Sequence, residues 1–424
     1  MTISSPRLRR LTIGLFAGLT LITAGAAEGK WFKGNLHTHT LWSDGDDYPE
    51  MVVNWYREHD YDFLSITDHN RMLEGDRWVN TTNRGGGVAL KKYLAKQGAN
   101  WVEQRTTNGI AQVRLKTLEE FRGQFEKPGE FLLIPGEEIS AEYKAAPIHL
   151  NGINLREVIQ PKSGSSIADV LQKNIDAVLE QRKRTGQPMF AHINHPNFRW
   201  ALRAEDMVAL VGDRFFEVFN GHSGVDNYGD ATHASTERIW DIILTRRAVE
   251  LGIEPLWGTA VDDSHSYHTF AVGRTNPGRG WVMVRAPELT PAAIIAALEA
   301  GDFYASSGVR LNDLKVGPKE IRVEMKPEPG VTYTTQFIGT RKGVDLKSEP
   351  VVDANGKELP VTRRYSKDIG VVLAEVTGNL AVYALKGDEV YVRAKVISSK
   401  LKENPYAKGD FETAWIQPLV TGVK

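Results

Sequence analysis

Residues 35–44, NLHTHTLWSD, place His37 and His39 one residue apart and an aspartate, Asp44, five residues further on. On an extended strand, residues two apart share a face, so both imidazoles can point at one cation. Four later stretches carry donors of the same kind: TDH at 67–69, GEE at 136–138, NHP at 194–196 and DDSH at 262–265. They offer nitrogen and carboxylate oxygen but no sulfur, a set that suits zinc, manganese or iron(II) without choosing among them. An isolated His-any-His fits two ordinary strand histidines equally well. Here, six of the 11 histidines (His37, His39, His69, His149, His195 and His265) stand at or beside apolar runs that end in such clusters. A bridging carboxylate with histidines on each ion holds metals about 3.5 to 4 Å apart, which suits in-line displacement at phosphorus.

The elements that must position these groups follow a rhythm. Apolar runs of strand length are expected at 35–39, 62–67, 131–135, 148–153, 189–193, 215–219, 255–261 and 281–284. Helical patterns fall between them at 49–59, 165–186, 235–251 and 291–300. Ser165 or Ser166 caps the second helix and Gly186 closes it, while Ile239, Ile242, Ile243 and Val249 of the third are expected in the core. The donors come just after the strands, the order of a barrel whose site lies at the carboxyl ends of its strands. Residues 71–130 interrupt the rhythm with Gly85, Gly86 and Gly87, a helical stretch near 90–97 and a helix start at Thr117. Such an insertion is either a lid or specificity loop, or a surface elaboration without function. After about residue 310, short alternating runs at 321–325, 332–338, 371–376, 380–385, 389–397 and 413–419 predict a small all-β, sandwich-like module without histidine.

Composition sets the compartment. The 424 residues carry 52 basic and 53 acidic side chains, so no electrostatic footprint for nucleic acid or a membrane surface is evident. Residues 1–27 read as a cleaved secretory signal: Arg7, Arg9 and Arg10, then an apolar run over 11–22, then small residues at 24–27. That run is shorter than the roughly 20 residues a span requires, so no stable membrane span is expected after cleavage. Subtracting the three arginines leaves 49 basic against 53 acidic residues, net −4. The chain has no cysteine, which excludes disulfides and thiolate metal sites. A periplasmic or secreted protein with domains 1–27, 28–309 and 310–424 is the expectation.

Taken together, HTH with its downstream SDG, then ITDHN, GEEIS, a histidine on a following strand, NHP and DDSH resemble the PHP (polymerase and histidinol phosphatase) superfamily. The resemblance spans residues 31–307 and implies an α/β fold, a distorted (β/α)7 TIM-like barrel with up to three metal ions. By resemblance the first ion takes His37, His39, Glu138 and Asp263; the second shares Glu138 and adds His149 and His195; the third takes Asp44, His69 and His265. The family's Gly-any-Glu-Ile context selects Glu138 over Glu137, and its Asp-any-His spacing selects Asp263 over Asp262. Asp68, Glu137 and Asp262 are then expected beneath the ligands, orienting imidazoles or holding protons, with strand-end capping as the alternative. His192 competes with His195, which stands at the strand end where a ligand belongs. Glu217, Asn220 and His222 are expected on the rim with Arg199 as a phosphate clamp, and His268 is a further candidate contact.

The implied activity is hydrolysis of a small phosphorylated substrate, a monoester above all, by hydroxide generated on two or three divalent ions. His37, His39, Glu138, Asp263 and His265 form its centre. A phosphodiesterase or nuclease would instead need a basic groove in the insertion, for which Arg77, Arg84, Lys91, Lys92, Lys96 and Arg105 are available. Amide hydrolysis on the same scaffold, and a binding protein acting through the β module, are the remaining alternatives.

Overall fold

The structure is a computed structural model that describes residues 29–421, so the secretory signal expected at 1–27 lies outside the described residues. Among those residues no helix is long and apolar enough to cross a membrane. The chain runs β1 (Lys30–Asn35), α1 (Pro49–Glu58), β2 (Phe63–Ile66), β3 (Arg77–Asn80), α2 (Gly86–Gln97), β4 (Gln104–Thr107), β5 (Ile110–Leu115), α3 (Leu118–Phe125) and β6 (Leu132–Tyr143). It continues through β7 (Ala146–Ile153), α4 (Ile167–Thr185), β8 (Phe190–Ile193), α5 (Ala204–Met207), β9 (Phe215–Asn220), α6 (Thr236–Arg246), β10 (Trp257–Val261), β11 (Trp281–Ala286), α7 (Pro291–Glu299) and β12 (Phe303–Ser306). Strands alone follow: β13 (Leu311–Val316), β14 (Glu320–Met325), β15 (Tyr333–Arg341), β16 (Ser348–Glu349), β17 (Arg364–Tyr365), β18 (Val371–Thr377), β19 (Leu380–Ala384), β20 (Glu389–Leu401) and β21 (Phe411–Val420).

One sheet of 13 strands organises the molecule, in the order β10-β9-β8-β7-β6-β2-β1-β11-β12-β21-β20-β15-β18. The pairs β1/β2, β2/β6, β8/β9 and β9/β10 are parallel, whereas β6/β7 and β7/β8 are antiparallel. The sheet is therefore α/β in kind, and its ladders alone do not close the distorted (β/α)7 barrel expected. Beyond their strands, β1 and β10 meet through a short bridge in which His39 N–H donates to Ser264 O and Asp263 N–H to His37 O, both at 3.0 Å. The physical reason is competition for an edge. The β1 edge that would complete a ring is occupied by antiparallel β11, from Lys30 opposite Ala286 to Gly34 opposite Val282.

The sheet continues past β12, which pairs with β21 (Tyr304 opposite Ile416), into the C-terminal strands. There a second layer, β13-β14-β19, buries Ile321, Val323, Ala381 and Tyr383 in the same core as Phe337, Val392 and Ala394.

The helices form where their caps and stripes dictate. In α4, Ser166 Oγ accepts from Asp169 N–H and Gly186 closes the helix in the left-handed region (φ 68°), with Val170, Leu171, Ile175 and Val178 buried. The α6 helix starts at the Ser235 cap but gives way after Arg246 to a π turn, Arg247–Leu251. That wider winding takes Val249 off the stripe of Ile239, Ile242 and Ile243 and leaves it 48% exposed, against expectation. The insertion forms its own sheet, β3-β5-β4, with α2 and α3, the latter opened by a Thr117–Glu120 capping box. It is fastened to the loop after β1: Arg84 Nη1 donates to Asp44 O (2.7 Å), Trp42 Nε1 to Lys116 O (3.1 Å) and Lys92 Nζ to Asp47 Oδ2 (2.5 Å).

Candidate metal centre

Residues directly opposite on antiparallel strands share a face. The β6/β7 hairpin pairs Glu138 with Asn151 and Ser140 with His149, so these four form one polar patch while Glu137 and Ile139 face away. Glu138 thus stands inside β6 rather than past a strand end, and His149 stands in the first half of a strand that runs back from the rim. Asn151 Nδ2 donates to Leu36 O (3.0 Å), which ties the hairpin to the end of β1. Asn194 Nδ2 donates to Glu138 Oε1 (2.8 Å) and to Asn151 Oδ1 (2.9 Å).

Around this patch all nine expected ligands gather. Glu138 Oε1 lies 3.0 Å from His149 Nδ1, 3.2 Å from His195 Nε2 and 3.5 Å from His37 Nε2. Its Oε2 lies 2.7 Å from His69 Nδ1 and 3.5 Å from His39 Nε2. Asp263 Oδ1 is 3.1 Å from His39 Nε2 and 3.3 Å from His37 Nε2, and Asp44 Oδ1 is 3.2 Å from His265 Nε2 and 3.5 Å from His69 Nε2. Donor atoms within 4.8 Å of one another form four overlapping groups: His39, Asp44, His69 and His265; His37, His39 and Glu138; His37, His195 and Asp263; His69, Glu138 and His149. The grouping differs from the implied one in that His195 also joins His37 and Asp263, and His69 spans both ends of the cluster. His195 and Asp263 have φ of 20° and 47°, a backbone region that costs a non-glycine residue of order 1–3 kcal/mol. Their side chains are held where the surrounding structure needs them.

Hydrogen bonding fixes the tautomers. Burial pushes the Glu217 carboxyl up, but His37, His192 and His195 outweigh it and hold the group below the usual carboxylate value. Ionised Glu217 only accepts: Oε1 from His37 Nδ1 (2.7 Å), Oε2 from His195 N–H (2.6 Å) and Asn220 Nδ2 (2.7 Å). The neutral His37 ring therefore keeps its lone pair on Nε2, which faces oxygens of Glu138 and Asp263. Likewise His265 Nδ1 donates to Asp263 O (2.9 Å), so its Nε2 lone pair faces Asp44. Acceptors aimed at acceptors require protons or cations between them, and the buried Glu138 Oε2 shares its one near donor, His69 Nδ1, with the Ser140 hydroxyl.

Protons meet only part of that requirement. Burial opposes charging His37, yet Asp263, Glu217 and Glu138 raise its pKa well above the ordinary imidazole value, and against burial Glu138 and Asp44 lift His69 to about 11. Burial and the neighbouring His265 and His69 push His39 down to about 3, so it stays neutral between Asp263 and Glu138. Burial raises Glu138 and Asp263 too, but His69, His149 and His37 for the one, and His37 and His39 for the other, hold both well below the usual carboxylate range. Divalent cations at these convergences would meet every inward lone pair at once, so the donor set fits them.

The remaining expected residues divide. Asp68 touches no imidazole; it accepts from Thr40 N–H (2.9 Å), Ser43 N–H (2.9 Å) and Ser43 Oγ (2.5 Å), the capping alternative, and burial pushes it up to about 6. Asp262 pins the loop after it, accepting from Gly278, Arg279 and Gly280 N–H and from the Tyr56 hydroxyl (2.9 Å). Glu137 faces the opposite side of the sheet and accepts from Ile159 N–H (2.5 Å), with burial, then Glu74, raising it to about 8. Glu217 and Asn220 are buried under the ligands rather than on the rim, and Asn220 Nδ2 also donates to Asp263 Oδ2 (3.1 Å). His268 binds Asp46 O (2.9 Å) behind the Asp44 loop. His192 lies beneath the cluster, bonded to Thr259 Oγ1 (2.6 Å). His222 stands on the rim beside His265, and Arg199 is exposed over the Phe198 ring without an acidic partner among the described residues. Sequence reasoning missed Asn194, Ser140 (2.6 Å from His69 Nδ1) and Ser43 (3.3 Å from His39 Nδ1). The polar residues alternating with Ile and Leu in GEEIS and IHLNGI were the available signal for the hairpin patch.

No family model and no curated protein matches the chain. Among solved structures, a two-domain protein of Bacteroides vulgatus ATCC 8482 containing a predicted PHP-like metal-dependent phosphoesterase is 14% identical over 92% of this chain and 95% of its own, with a TM-score of 0.40. A protein of Bifidobacterium adolescentis ATCC 15703 described as a metal-dependent phosphoesterase is 15% identical over 59% of this chain and 91% of its own, TM-score 0.30. An amidohydrolase from Chromobacterium violaceum with bound sulfate is 13% identical over 55% of this chain and 88% of its own, TM-score 0.28. Solved structures similar to this chain thus include PHP-like metal-dependent phosphoesterases, one of them spanning most of it.

Proposed function

We propose that the chain is a metal-dependent hydrolase of phosphate esters, with a preference for monoesters of small molecules. In this reading two or three divalent ions (zinc, manganese or iron) are held by His37, His39, Asp44, His69, Glu138, His149, His195, Asp263 and His265. The observation that carries it is the inward convergence of imidazole lone pairs, fixed by Glu217 and the Asp263 carbonyl, on carboxylates that are themselves acceptors. Bound there, the ions would supply Lewis acidity toward phosphoryl oxygens and lower the pKa of water.

The chain's own groups then bind and orient. Gly224 N–H donates to His222 Nδ1 (2.9 Å), which leaves the Nε2 proton of the neutral ring as a donor for a phosphoryl oxygen at the rim. Arg199, free of acidic partners among the described residues, offers the two-pronged contact a phosphate dianion takes. Asn220 holds the Asp263 carboxylate in place, and the burial of His37 and His39 keeps bulk water from the inner cluster. A diesterase would need a basic groove, but Lys92 and Lys96 are paired with Asp47 and Glu58, and Arg105 lies over Trp78. The insertion, fastened to the loop that holds Asp44, acts as the element shaping access. The arginine-led apolar start of the sequence supports a periplasmic or secreted setting.

The test is metal analysis and aryl phosphate hydrolysis with His37→Ala/Asp263→Ala. Both bound metal and turnover should vanish. Retained turnover in a metal-free double variant would end the proposal.

A further inference from the structure

Away from the metal centre, a cleft of about 780 Å³ opens where β1, the 270–278 loop and the C-terminal strands meet. The volume is in the range of small-molecule sites. Its wall is aromatic: Trp55 lies flat against His59 (centroids 3.8 Å apart) and near parallel to Phe270 (6.1 Å), and Phe270 is 46% exposed. Two amines enter it. Lys33 Nζ sits 3.8 Å from the Tyr61 ring centroid and 4.3 Å from that of Trp281, and Lys402 Nζ sits 4.5 Å from the same Trp281 ring.

Neither amine has a carboxylate within 4 Å among the described residues. The Lys33 amine donates to His59 O (3.0 Å), and the Lys402 amine has no hydrogen-bond partner among the described residues. The acids at the mouth do not answer them: Glu58 pairs with Lys96 (3.1 Å), Glu412 pairs with Lys400 (3.2 Å), and Asp60 and Glu403 are exposed. A half-buried amine such as that of Lys402, left without an acceptor, calls for a missing partner.

We propose that this cleft is a second ligand site, which takes a ring-bearing carboxylic acid with its carboxylate between Lys33 and Lys402 and its ring against Trp55 and Phe270. The acid can be a sugar acid or an aromatic acid, since both present a flat face and one negative charge. Burial, then mutual repulsion with Arg310 and Lys402, pushes Lys33 down to about 7, and burial pushes Lys402 down to about 8; a bound anion would relieve both. The site lies one layer from the metal centre, since Gly278 of its wall donates to Asp262 Oδ2 (2.9 Å), the residue before Asp263.

Calorimetric titration of the full chain with glucuronate, benzoate, glucose and inorganic phosphate tests the proposal. At least one ring acid should bind, and glucose should not. Lys402→Met should weaken binding about tenfold or more. Phe270→Ala, a change at an exposed position that keeps the fold, should weaken it as well, while His37→Ala should leave it unchanged. Binding of glucuronate alone assigns a sugar acid, and of benzoate alone an aromatic acid. No binding of either acid, binding indifferent to both Lys402→Met and Phe270→Ala, or loss of binding in His37→Ala would overturn it.

Discussion

Glu217→Gln tests the tautomer argument at its origin. In the native site both carboxylate oxygens accept, one from His37 Nδ1 and the other from His195 N–H and Asn220 Nδ2. Glutamine has only one accepting oxygen. If its amide nitrogen faces His37, the proton of the ring must move to Nε2, where it blocks the lone pair aimed at Glu138 and Asp263. If it faces the other way, it meets two donors, His195 N–H and Asn220 Nδ2, and leaves both unpaired at about 1–3 kcal/mol each. The first outcome is the milder, so the expected result is a folded protein with metal affinity reduced about 10- to 100-fold, or about 1.4 to 2.7 kcal/mol. Competition with a chromophoric chelator measures the affinity, and nitrogen chemical shifts of the His37 ring report the tautomer. A variant that folds, keeps Nδ1 protonated and binds metal as the native chain does would refute the reasoning.

Three further predictions concern the scaffold. Lys33→Met should stabilise the protein below pH 7, because the unfolded amine holds its proton to 10.5 while the folded one releases it through about 7. Stability is therefore lost as pH falls from 10.5 to about 7, a penalty of about 5 kcal/mol at most that water penetration lowers to a few kcal/mol; denaturant midpoints whose difference stays constant from pH 6 to roughly 10 would contradict this. Asp241→Ala removes the nearer of two acidic partners of Arg393, which is 1% exposed and bonded to it through Nε (2.8 Å) and Nη2 (2.9 Å); with only Glu237 left, 3.4 Å away, the change should cost about 3 kcal/mol in urea unfolding. Gly34→Ala puts a methyl group 2.1 Å from the Phe63 ring and should cost about 1–3 kcal/mol or more, read as a lowered melting temperature.

Where the information was local, the sequence was readable. The Ser166 cap, the Gly186 stop, the Thr117 capping box and the alternating strands after residue 310 each depend on neighbours within a few positions. The nine clustered donors were legible mainly through the resemblance of HTH, ITDHN, GEEIS, NHP and DDSH to one motif set; period-two spacing marks only His37 and His39, and Glu138 and His149 lie inside their strands. What was missed is nonlocal or lacks a signature. The β6/β7 turn uses Lys144 and Ala145 at φ 48° and 66°, positions where Asn and Gly would have announced a hairpin. Without that announcement the two runs read as separate parallel strands. The buried roles of Glu217 and Asn220, and the loop-pinning of Asp68 and Asp262, depend on donors more than 15 residues away or on the opposite wall, which no local pattern encodes.

The hairpin also explains how an open sheet can hold a compact site. In an all-parallel ring each strand delivers side chains to the rim mainly from its last residues. Replacing a crossover with a hairpin extends β6 by several residues past Pro135, the residue opposite Ile66 at the end of β2, so Glu138 and Ser140 project above the neighbouring strand and His149 and Asn151 return beside them. That overhang puts Glu138 within 3.5 Å of five imidazoles from four separate segments. No ladder along the full length of β1 and β10 is then needed to bring His37 and Asp263 together, because the bridge at 37–39 and 263–264 has only to hold the rim. The edge of β1 below it is left free for β11, and through β11 and β12 the same sheet reaches the C-terminal strands.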